Sequence, residues 1–188
     1  PRERHSPAGA GGVRGGETGR EGGGNEALTS WMQTNMNPEF SALTNRLPKL
    51  LEQLITSPLI ELGKLGSLPR RGVYTFYEGD RPIYVGRTNR MRDRVREHGR
   101  PSGTSYDATF AFKLAKEEAE RSEVDVNRPR RQLEKDADFS AIYSREKVRV
   151  SRMSVRAVEI NDPILQALFE IYVSMSLKTL KYNDFDTH

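Results

Sequence analysis

The sequence predicts a small α/β domain in which a three-stranded, largely antiparallel β-sheet is flanked by helices. Three observations lead there. Residues 72–86, "GVYTFYEGDRPIYVG", read as a β-hairpin: "VYTFY" and "PIYVG" are rich in β-branched and aromatic residues, and "EGDR" between them has turn chemistry. Residues 147–160, "KVRVSRMSVRAVEI", supply a third alternating, β-rich stretch. Apolar residues at helical spacing occupy the segments before, between and after these strands.

Taken in order, residues 1–25 hold nine of the sixteen glycines and almost nothing apolar. Such a segment buries too little surface to offset its ordering entropy, so residues 1–36 are expected to be a disordered Gly/Arg-rich tail. Met32 and Met36 stand just before the ordered pattern, and a translation start near Met36 is the matching expectation. From Phe40 to Ile60 apolar residues recur at helical spacing, with Pro48 and Pro58 interrupting them. This predicts two or three short helices in a helical arm over 37–68. After the hairpin, Thr88 or Asn89 caps a helix that turns Met91 and Val95 to the core. A further helix is expected at 107–121, then a polar excursion over 122–138. The strand at 147–160 slips phase near Arg152, which suggests a bulge or bend. "DPILQALFEIYVSMSLKTL" is the last helix, with Asp162 as cap and Pro163 in its first turn.

Composition narrows the function. There is no cysteine, which excludes disulfides, thiolate metal sites and cysteine nucleophiles, and the three histidines, His5, His98 and His188, are too scattered for a histidine-based zinc site. No apolar run approaches the roughly 20 residues that span a bilayer, and the N-terminus lacks the apolar core of a signal peptide. A soluble cytoplasmic protein without membrane contact is the expectation. The net charge is only +4, but nine arginines fall between Arg70 and Arg100 against four acids, and "NRPRRQLEK" adds a second basic run at 127–135. Guanidinium groups bind phosphate oxygens in bidentate fashion, so Arg87, Arg90, Arg130 and Arg131 are candidates for contact with a polyanion.

Tyr74 and Tyr84 each lie one residue from a glycine, which leaves room for close approach of backbone or ligand. Arg94 and His98 are four apart on the next helix and share a face, and Arg90 extends that stripe. Two phenols, a guanidinium and an imidazole thus converge, a set suited to a phosphodiester. Singly, each has an ordinary reading: strand aromatics, a solvated arginine, a histidine complementing a helix dipole.

Together the pattern resembles the GIY-YIG endonuclease family. "GVY" at 72–74 stands for the first signature triplet and "YVG" at 84–86 for the second. Met91, Arg94 and His98 occupy the aliphatic, Arg and His positions that follow. Glu170 in "ALFEIYV" is the best match to the family's metal-binding Glu, and Asn183 in "KYNDFD" to its late Asn. The likeness covers about 72–98 and 152–185, and an insertion at about 99–151 separates the two parts of a nuclease domain running from 69 to 188. The resemblance implies the GIY-YIG nuclease fold and hydrolysis of DNA with one Mg²⁺ (or Mn²⁺) held by Glu170. It gives Arg94 the developing charge, Tyr74 the role of base or proton relay with His98 assisting, Tyr84 a hydrogen bond to phosphate or water, and Asn183 substrate positioning. DNA repair and restriction or defence are the roles it suggests. A nucleic-acid-binding module that keeps the fold without turnover is the alternative, and the apolar arm leaves monomer and homodimer both open.

Overall fold

The structure, a computed structural model, describes residues 37–183 and Phe185. The tail expected to be disordered and the expected start at Met36 lie outside the described residues. The chain runs through helices α1 (Pro38–Thr44) and α2 (Leu47–Thr56), strands β1 (Ile60–Glu61), β2 (Gly72–Glu78) and β3 (Arg81–Thr88), and helix α3 (Met91–Gly99). Then follow α4 (Thr109–Arg121), α5 (Arg130–Leu133), α6 (Ala137–Ser151), strand β4 (Ser154–Glu159) and α7 (Pro163–Ser176), with 3₁₀ turns at Leu62–Lys64 and Leu180–Tyr182.

The sheet is antiparallel throughout, but it has four strands, in the order β1-β4-β2-β3, where three were expected. The additional strand is two residues long, pairing Ile60 with Val155 and Glu61 with Ser154 at the edge. A strand that short carries no periodicity for a sequence to display. β2 is central, and six of its seven residues are buried because helices cover both faces. On one face Tyr74 and Phe76 pack with Phe110, Phe139 and Val155 among residues of α3, α4 and α6. On the other, Val73 and Val85 pack with Leu47 and Leu54 of α2 and Leu165, Phe169 and Val173 of α7. Each such large apolar side chain contributes about 1.5–3 kcal/mol when fully buried. The segment expected as an arm therefore supplies α2 to this second core layer, within the same compact unit that holds the sheet.

The stretch read as one long strand at 147–160 divides in two. Its first five residues close helix α6, and only Ser154–Glu159 is strand. The helix wins because Phe139, Ile142, Tyr143, Lys147 and Val150 recur every three to four residues and are buried together, while Asp136 caps the first turn by accepting from the Phe139 N–H at 3.0 Å. β-branched propensity at Val148 and Val150 is too weak to overrule that packing. The phase slip at Arg152 is the helix-to-strand junction, and the sheet's irregular register lies instead in β2, between Phe76 and Tyr77. The polar excursion at 122–138 also holds structure, namely the short helix α5, and it buries Val126 and Leu133.

Both ends of α7 are closed by hydrogen bonds. Asp162 accepts from the Ile164 and Leu165 N–H groups at 2.8 and 2.9 Å, with Pro163 in the first turn as expected. At the far end Lys178 has a φ of 56°, and the Thr179 N–H reaches back to the Ser174 carbonyl at 2.9 Å. Glycine usually takes that left-handed place, and a side chain there costs roughly 1–2 kcal/mol. Among the described residues no helix is long and apolar enough to cross a membrane.

Candidate active site

Two glycines set up the site. Gly72 opens β2 at φ 140°, where a Cβ would stand 2.0 Å from the Val158 carbonyl oxygen, so β2 and β4 close up only around a glycine. Gly86 lies directly across the ladder from Tyr74, which is flanked on its other side by Ala157. A Cβ on Gly86 would come within 2.5 Å of the Tyr74 hydroxyl. The close approach expected beside these tyrosines is thus made by backbone at Gly72 and by the Tyr74 phenol at Gly86. Gly86→Ala should displace that phenol and cost roughly 1–3 kcal/mol as an overpacking change, read as a lowered urea midpoint.

Tyr74 and His98 are buried, and the phenol oxygen sits 2.7 Å from His98 Nε2. Tyr84 stacks on Phe110 at a centroid distance of 4.6 Å and lies 5.4 Å from the His98 ring. Burial, and secondarily Tyr84, hold the Tyr74 phenol well above its ordinary range, with Arg94 acting against them. Burial, then Arg94 and Lys113, push His98 well below 6.5. At neutral pH the pair is a protonated phenol against a neutral imidazole. The low folded value of His98 adds stability that is complete above pH 6.5 and is lost as pH falls below it, by up to about 1.4 kcal/mol per pH unit. Urea midpoints of the wild type and His98→Gln should therefore converge on going from about pH 7.5 to about pH 5.5.

Above this pair Tyr84 lines a cavity of about 370 Å³ that also takes in Arg87, Lys113, Arg130, Glu170 and Asn183. Glu170 projects from α7, and its Oε2 accepts from Arg87 Nε at 2.9 Å. Burial raises the Glu170 carboxyl above its ordinary value, and Arg87 opposes the rise. Asn183 follows the 3₁₀ turn that crosses beside β3, and its Nδ2 donates to the Val85 carbonyl at 2.8 Å. Its Oδ1 is buried and has no hydrogen-bond partner among the described residues.

Of the residues nominated from sequence, Tyr84, Arg87, Arg130, Glu170 and Asn183 meet at this cavity, with Tyr74 and His98 beneath it. Arg94 is placed differently. Its guanidinium donates to the Asp107 carbonyl at 2.8 Å, Thr109 Oγ1 at 2.9 Å and Glu97 Oε2 at 3.2 Å, which ties α3 to the start of α4. It stays close enough to act on Tyr74 but does not border the cavity. Arg90 is exposed and pairs with Glu97 at 3.4 Å, and Arg131 is exposed away from the cavity. Lys113 and Tyr182 were not among the nominated residues. Lys113 Nζ holds the Tyr182 carbonyl at 2.7 Å, and Tyr182 donates to Glu117 Oε2 at 2.6 Å, so α4 clasps the segment that carries Asn183. The signal was present in Thr109, Lys113 and Glu117, polar residues four apart beside the apolar face of α4.

A hard divalent cation fits this donor set. Glu170 and Asn183 both line the cavity, and each brings an oxygen donor, a carboxylate and a buried amide oxygen without a partner among the described residues. Mg²⁺ characteristically takes one or two protein oxygens and leaves its other positions to water and phosphate. No group of three or more His, Asp or Glu able to hold a metal occurs among the described residues, so the all-protein cage of a structural zinc site is not offered there. Compared with protein-family models, with curated proteins and with solved structures, the chain matches none.

Proposed function

We propose that this chain is a metal-dependent DNA endonuclease of the GIY-YIG type, hydrolysing phosphodiester bonds in the cavity between β3, α4 and α7. One observation carries the reading. Side chains more than eighty residues apart in sequence, Arg87 against Glu170 and Asn183 against the Val85 carbonyl, meet at one cavity whose wall, Tyr84, leads to the buried Tyr74–His98 pair.

Hydrolysis joins a water oxygen to phosphorus and breaks the bond to the leaving sugar oxygen, so one proton must leave the attacking water and one must reach the leaving oxygen, which takes it from solvent. Tyr74 is protonated at neutral pH and cannot act as a free phenolate. In this reading it serves as a relay, the water proton passing by way of its hydroxyl, 2.7 Å from His98 Nε2. Because burial lowers the proton affinity of His98, that imidazole is a transient carrier rather than the proton's resting place. Charge that builds on the phosphate oxygens is met by Arg87, Lys113 and Arg130, which border the cavity. Arg94 holds the frame and lends its field to Tyr74. Glu170 and Asn183 would hold Mg²⁺ or Mn²⁺, and the bound ion would add Lewis-acid charge at the phosphate.

The Arg87–Glu170 ion pair favours a second reading, a non-catalytic nucleic-acid-binding module, because cation and carboxylate there neutralise each other. In the catalytic reading an incoming phosphate draws Arg87 off and frees Glu170. Incubation with supercoiled plasmid in Mg²⁺ or in EDTA separates the two. The nuclease reading expects nicking in Mg²⁺ alone; DNA retardation without nicking, on plasmid and on branched duplexes alike, would establish the module.

A further inference from the structure

Two further hollows share lining residues with the cavity or with each other. Tyr182, which lines the cavity, also lines a cleft of about 360 Å³ bordered by Arg81, Lys178 and Thr179. Arg149 lines that cleft and a neighbouring one of about 610 Å³, bordered by Arg145 and Arg152. Tyr182 and Arg149 are thus each a wall common to two hollows.

The acids near these hollows are already matched. Glu78 accepts from Arg149 at 2.7 and 2.8 Å, Glu146 pairs with Arg149 at 3.2 Å, and Glu117 pairs with Lys181 at 2.7 Å. Arg81, Arg145, Arg152 and Lys178 have no ion-pair partner among the described residues and leave the hollows with excess positive charge. Two further observations point to a ligand. Thr179, 2% exposed, borders the cleft, and its buried hydroxyl has no hydrogen-bond partner among the described residues. Lys178 occupies the left-handed position after α7 that glycine would fill without strain, which sets an ammonium group on the cleft wall at a cost in stability.

We infer that these hollows form one groove, running from Tyr182 past Lys178 and Arg149 to Arg145 and Arg152, and that it is a track for the phosphate backbone of duplex DNA flanking the bond to be cut. The inference rests on the nuclease reading for its choice of partner, since the track begins at the cavity assigned to the scissile phosphate. Contacts of this kind position a duplex without reading its sequence. Arg145 and Arg149 lie in α6, Arg152 just after it and Lys178 just after α7, so the end of the insertion at 99–151 would extend the DNA footprint while the cavity carries out the chemistry.

The test is the salt dependence of binding to a labelled duplex of about three helical turns, roughly 30 base pairs. Each lost phosphate contact removes roughly 0.9 from the slope of log affinity against log salt concentration. Arg145→Ala with Arg152→Ala should flatten the slope by roughly 2, with turnover at saturating DNA unchanged. Lys178→Gly should flatten it by roughly 1 while raising the thermal midpoint, a combination that a purely structural lysine does not give. Unchanged slopes in both variants would overturn the track, as would failure of the wild type to bind duplex, or binding to anionic vesicles in its place. Flattened slopes in a protein that never nicks would uphold the track and remove the nuclease reading.

Discussion

Tyr74→Phe should lower the rate of DNA nicking by roughly 10²–10⁴-fold, the usual contribution of a positioned proton-transfer group. The substitution removes one oxygen and leaves the ring in its packing against Phe76 at 5.6 Å and Tyr84 at 6.3 Å. Duplex affinity should hold, because the cations that border the cavity are untouched. The same change strands His98 Nε2 in a buried site, so a stability loss of about 1–3 kcal/mol accompanies it. Comparing single-turnover rates under conditions where both proteins are fully folded separates the two effects. If the rate falls only in proportion to the folded fraction, the relay has no part in the chemistry.

Glu170→Ala should lower Mg²⁺-dependent nicking by roughly 10³-fold, because it removes the carboxylate that would hold the ion, and an ion's charge at a phosphate is worth several kcal/mol. Its effect on binding runs the other way. Glu170 neutralises Arg87 at 2.9 Å, so its removal releases a guanidinium into the cavity, and duplex affinity at low salt should rise. A residue serving only to steady α7 would not lower rate and raise affinity together. Titration with Mn²⁺ in the absence of DNA provides an independent reading, in which the wild type binds the ion and Glu170→Ala binds it more weakly.

The parts of this account that the sequence displays are local. Gly72, Tyr74, Tyr84 and Gly86 fall on a hairpin that spacing makes readable, although the two-residue turn alone would set Tyr74 opposite Val85, and the irregularity between Phe76 and Tyr77 that moves it opposite Gly86 is not displayed. Asp162 and Pro163 announce α7 because a cap and a first-turn proline act within one turn of chain. What depends on tertiary packing is not displayed. "KVRVS" alternates like a strand, yet α6 continues through it because the core favours a buried helical face. Arg94 has the spacing that the family resemblance assigns to a catalytic guanidinium, but the loop before α4 offers it the Asp107 carbonyl and the first residue of α4 the Thr109 hydroxyl, and it is bound there. Lys113 reaches the cavity only because α4 lies against the C-terminal turn, a contact spanning 69 positions.

The most direct measurement sets wild type, Tyr74→Phe and Glu170→Ala side by side, purified in parallel, and follows plasmid nicking and duplex binding in the same samples. The account predicts nicking by the wild type in Mg²⁺, none in EDTA, and loss of nicking in both variants while both still bind duplex. Equal nicking by all three proteins would contradict it, because the cutting would then come from somewhere other than this cavity.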